Sequence, residues 1–71
     1  MEKRHRRMLE QHAKEHDVKF MDAEGVTDDA SCEVAMMAIC IASQTMIDEG
    51  TPWAMTGDVS GKIVVAVARN A

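Results

Sequence analysis

Between Asp28 and Glu49, apolar residues occupy nearly every side of a 3.6-residue repeat. At 100° per residue Cys32, Met36, Ile39, Cys40, Met46 and Ile47 share one broad face, Ala35, Ala38 and Ala42 lie beside it, and Val34, Met37 and Ile41 lie behind. The pattern predicts a long central helix that must be covered on more than one side. Thr27 is its expected N-cap, with Asp28 and Asp29 complementing the positive end of the helix dipole. Gly50 offers a left-handed terminator and Pro52 prevents continuation. The alanine strip permits close approach of a sheet or a second helix.

The flanking segments follow other periods. Residues 1–16 read as a charged helix, because Glu2 with Arg6, Arg6 with Glu10, and Glu10 with Lys14 are opposite charges four apart. Its apolar stripe is thin, with Met1, Met8, Leu9 and Ala13 beside His5, His12 and His16, so weak packing is expected. From Asp17 to Asp22 the polar and apolar positions alternate, the period of a short strand, and Ala23, Glu24 and Gly25 read as a turn. The C-terminal third reads as a β-hairpin, with strands Trp53 to Asp58 and Lys62 to Arg69 around a turn at Gly61. In the last strand Ile63, Val65 and Val67 form one apolar face and Val64, Ala66 and Ala68 a second.

These elements define an α+β fold: a charged N-terminal helix, a short strand, a long buried central helix, and a C-terminal hairpin completing a two- or three-stranded sheet. An isolated hairpin is marginal, which favours three strands. A charged helix or arm at 1–16 precedes a single small domain at 17–71. At 71 residues, with 46% hydrophobic and 28% charged residues, the chain is globular in composition but short. A core of this size rarely contributes more than about 3 to 5 kcal/mol. A homodimer sharing core surface is therefore expected, through Val34, Met37 and Ile41 of the helix or through Val64 of the last strand, which could also extend the sheet across the dimer axis.

The charged start leads into no apolar run of signal-peptide type, and the longest uncharged stretch, Val34 to Ile47, is fourteen residues against about 20 for a bilayer span. Cys32 and Cys40, eight apart on a helix, lie about 12 Å from each other and cannot bridge. A cytoplasmic protein with reduced thiols and no membrane contact is expected.

Charge divides along the chain. Residues 1–20 carry six Lys or Arg against four Asp or Glu, net +2, and residues 21–71 carry two against eight, net −6. The basic cluster Lys3, Arg4, Arg6 and Arg7 could contact phosphates, but Phe20 and Trp53 are the sole aromatics available for base stacking. The acidic group Asp22, Glu24, Asp28, Asp29 and Glu33 lacks calcium-loop spacing and reads as helix capping or as an acidic surface for a partner protein. His12 and His16, four apart, have chelating geometry, and His5 lies on the same helical side. A zinc site needs at least three protein ligands, so a solvated or half-buried histidine face outweighs a metal role. Gly57-Asp58-Val59-Ser60-Gly61-Lys62 resembles a phosphate loop, but only three residues separate the glycines, no Ser or Thr follows Lys62 and no helix follows. Seven methionines replace the missing aromatics and suit adaptable contacts.

No set of residues converges on catalytic chemistry or on a cofactor. The expectation is a non-catalytic cytoplasmic interaction module, of the kind a phage-type inhibitor or regulatory adaptor represents, occupying a surface of a larger partner through an acidic or Met-rich face. The alternative is a nucleic-acid-associated regulator that uses the basic N-terminal helix.

Overall fold

The computed structural model describes residues 1–70. Its elements run α1 (Lys3–Glu15), β1 (Val18–Glu24), α2 (Asp29–Glu49), β2 (Trp53–Gly57) and β3 (Val64–Arg69). The strands form an antiparallel sheet in the order β1-β3-β2, an α+β fold with both helices on one side. α2 lies over β2 and β3, while α1 lies over β1 and against α2.

β3 is central because it is the strand whose two faces are both apolar. It pairs with β1 from Val64↔Glu24 to Arg69↔Val18 and with β2 from Val64↔Gly57 to Ala68↔Trp53. Both of its edges are therefore occupied, which rules out the expected extension of the sheet through this strand across a dimer axis. β1 is longer than its alternation indicates: the register shifts between Phe20 and Asp22, and Met21 is the extra residue. This bulge resets the alternation, so Ala23 and Glu24, expected in a turn, continue the ladder opposite Val65 and Val64. The chain then turns at Gly25, whose φ of +85° and close approach to the Lys62 carbonyl leave no room for a side chain.

The cap of α2 lies one residue later than expected. Asp28, not Thr27, is the N-cap: its carboxylate accepts from the Ser31 amide at 2.8 Å, while the Ser31 hydroxyl accepts from the amides of Asp28 and Thr27. Asp28 displaces the threonine because Ser31, three residues on, completes a reciprocal capping box with it. Gly50, in the left-handed conformation at φ +66°, ends the helix as expected.

The buried side of α2 is Cys32, Ala35, Ala38, Ile39, Ala42, Ser43 and Met46. The alanine strip expected beside the core is thus its centre, and Cys40 and Ile47, expected inside, are exposed. Small residues win this position because they let the helix axis approach the sheet, where Val65 and Val67 are fully buried. α2 has the length and composition of a membrane-crossing helix, and here its alanine side is core. α1 packs more firmly than its thin stripe indicates, with His5, Leu9 and Ala13 all sealed.

Candidate functional site

The surface chemistry divides into four places. The first is the junction of α1 with the start of α2. His5 is buried, and its Nε2 lies 2.9 Å from Asp29 Oδ1. An ionised carboxylate only accepts, so Nε2–H donates. The Arg4 guanidinium reaches the same Asp29 oxygen at 3.1 Å and Glu2 at 3.0 Å. The hydrogen bond from His5, with Arg4 nearby, holds the Asp29 carboxyl below its ordinary pKa. The Ser31 amide and hydroxyl do the same for Asp28. His5 Nδ1, also buried, has no hydrogen-bond partner among the described residues. This arrangement is a clasp between two helices. Its sequence signals were a histidine on the apolar side of α1 and an aspartate directly after the cap, but no spacing rule links residues 24 apart.

The second place is the groove between α1 and α2, about 460 Å³, lined by His12, His16, Glu33, Met36, Met37 and Cys40. The two imidazoles stand edge to face with centroids 4.7 Å apart. His5, held on Asp29, is not among the lining residues, so the three histidines do not meet. Among the described residues no group of three or more His, Cys, Asp or Glu is arranged to hold a metal ion. At the groove's edge α2 presents Met37 at 60% exposure and, outside it, Ile41 at 56%, while Val34 is half-buried against the core. Burial raises the pKa of the Cys32 thiol on the opposite side, which keeps it protonated and a poor nucleophile.

The third is a groove of about 890 Å³ between α1 and β1, lined by Arg7, Glu10, Gln11, Lys14, Val18, Lys19, Phe20 and Asn70. Only Arg7 of the four-residue basic cluster lines it. Arg4 is committed to Glu2 and Asp29, and Arg6 lies over the Phe20 ring at 5.4 Å and 3.9 Å from Glu10. Lys3 is exposed at the first turn. Lys14, two turns on from Arg7, shares its side of α1, and Lys19 joins them from β1 through folding alone.

The fourth is the sheet face that the helices leave open. Cross-strand pairing arranges it in three rows: Lys19, Ala68 and Trp53; Asp22, Ala66 and Met55; Glu24, Val64 and Gly57. Trp53 and Met55 are 58% and 59% exposed, and a depression of about 310 Å³ lies between Asp22, Glu24, Met55, Val64 and Ala66. The acidic group is therefore spread over three places: Asp22 and Glu24 on this face, Asp28 and Asp29 at the helix start, and Glu33 in the helical groove. The Gly57 to Lys62 segment closes the hairpin. Asp58 accepts from the Ile63 amide at 3.1 Å and from the Ser60 hydroxyl, an arrangement that shapes a turn and lowers the Asp58 pKa.

The chain matches no family model, no curated protein and no solved structure.

Proposed function

We propose that this chain is a small, non-catalytic protein-interaction module of the cytoplasm that occupies a surface of a larger partner through the outer side of α2. The observation that supports this reading is the exposure of Met37 and Ile41, each more than half open, beside a groove that Met36 and Met37 line together with Glu33. Exposed apolar residues in continuity with a groove are what partner surfaces present, and thioether side chains adapt to the shape they meet. Glu33 gives that surface a negative rim suited to a basic patch on the partner.

The test is affinity capture from the source cell with wild-type protein, a Met37→Glu/Ile41→Glu variant and, as a control on the other side of the molecule, Met55→Lys. One protein retained by wild type and Met55→Lys but lost from the helix variant supports the reading. Retention by all three overturns it.

A second reading, a nucleic-acid-associated regulator, draws on Arg7, Lys14 and Lys19 lining a single groove. Its mark is binding that weakens steeply with salt. A gel-shift titration with single-stranded and duplex probes decides it: micromolar, salt-sensitive binding abolished by changing those three residues to Ala favours this reading over the first.

A further inference from the structure

We propose that the open face of the sheet is a two-fold interface on which a second copy of this chain docks face to face, with the axis running across the strands through the row Asp22, Ala66 and Met55. The inference concerns the side of the molecule away from the helical groove and is independent of the partner reading above.

The three rows differ in size and charge. One end row, Lys19, Ala68 and Trp53, is bulky and positive; the other, Glu24, Val64 and Gly57, is small and negative. A two-fold axis across the strands exchanges these ends. Trp53 of one copy then lies over the bare backbone of Gly57 in the other, Ala68 over Val64, and Lys19 over Glu24, each twice by symmetry. The alternative axis, along the strands, stacks the bulky row on itself and leaves a gap at the small row. Shape and charge therefore select the same axis. The α2 surface offers no such self-match, since its acidic Glu33 has no Lys or Arg among the residues lining that groove.

Face-to-face sheets pack about 10 Å apart with strands crossing at about 30°, within the reach of the long side chains at the corners. Three strands about 4.8 Å apart and six residues long at about 3.4 Å each give a footprint of roughly 14 by 20 Å. That is small beside a standard interface of about 800 Å² per partner, so the association is weak and concentration-dependent, micromolar at its tightest. The arrangement has one unfavourable feature, because Asp22 faces its own copy at the rim of the middle row.

Sedimentation equilibrium from about 1 µM to about 0.1 mM tests the proposal. Wild type is expected to pass from monomer to dimer within that range. Met55→Lys, which places two ammonium groups at the axis, is expected to remain monomeric with an unchanged circular-dichroism melt. Lys19→Glu is expected to weaken dimerisation by about two- to tenfold, and Lys19→Glu/Glu24→Lys to restore it. Asp22→Asn is expected to tighten it. A wild type that stays monomeric throughout overturns the proposal and leaves the face to a different protein. A Met55→Lys variant that dimerises normally while Met37→Glu does not moves the interface to α2. A double charge swap no better than the single change excludes this axis.

Discussion

Val64 and Val65 are adjacent and chemically identical, yet they fall on opposite faces of the same strand with opposite fates. Val65 is sealed beneath the helices with Val67 and Ala54, whereas Val64 is half-buried on the open face with Ala66, beside Met55 and Trp53. The helix side is a closed core. The open side is apolar enough to resemble one and has no element above it among the described residues. Hydrophobicity alone thus does not identify the core of a small domain; the number of elements available to cover each surface does. Here two helices cover one sheet face and leave its back free. α2 repeats the lesson, with Ile39 fully buried on one side and Ile47 73% exposed on another.

The contrast is broken most severely by removing β1. Deleting residues 17–22 strips β3 of one neighbour and α1 of the strand it packs on, and the expected outcome is loss of the cooperative thermal transition by circular dichroism. An undiminished melt would remove β1 from the core. Within α2 the two sides should separate cleanly in denaturant titrations. Ile39→Ala is expected to lose about 2 to 5 kcal/mol, while Ile47→Ala stays within about 0.5 kcal/mol of wild type.

Gly25→Ala tests the turn that lets β1 lead into α2. With a left-handed φ and the Lys62 carbonyl where a Cβ would stand, the substitution is expected to destabilise by at least about 1 to 3 kcal/mol in the same titration. If Ala is tolerated there, the close approach of the two loops does not hold.

Acid titration gives a smaller effect of defined sign. The carboxyls of Asp28, Asp29 and Asp58 are all held below their ordinary value, by Ser31, by His5 with Arg4, and by Ser60 with the Ile63 amide respectively. Their contribution is therefore fully present above the unfolded carboxyl value of about 3.9 and is lost as pH falls through the lower folded values. Melting temperature should fall as the pH is taken below about 4, the unfolded carboxyl value. Asp29→Asn should flatten part of that drop, and an unchanged slope would show that the link between His5 and Asp29 is not formed in solution. The smallest effect is expected on the open face, where Val64→Lys should leave the melt of dilute, monomeric protein almost unchanged.

What could be read in the sequence follows the same division. Local signals gave the class of fold: the apolar 3.6 repeat ending at Gly50, the β-branched run in β3, and the alternation at Val18 to Phe20 all became the elements they indicate. What could not be read is what depends on neighbours. Because α2 is apolar nearly all round, nothing in its own periodicity selects the alanine strip over the face bearing Cys40 and Ile47. The bulge at Met21 arises from pairing with β3, and the central place of β3 is a property of the whole sheet. Of the site residues, Met37, Ile41 and Val64 were legible as apolar positions without an evident partner. Arg4 was legible only as a charge and Asp29 only as a carboxylate at a helix start, and folding alone joins them to each other and to His5.

The measurement closest to the central claim, that the back of the sheet is an assembly surface and not spare exterior, uses Trp53, the single tryptophan of the chain. Its fluorescence should be quenched freely by acrylamide at about 1 µM protein and become protected as the concentration rises to about 0.1 mM, across the range of micromolar association. In Met55→Lys it should stay accessible throughout. Quenching independent of concentration in the wild type, or protection that survives Met55→Lys, would contradict the account.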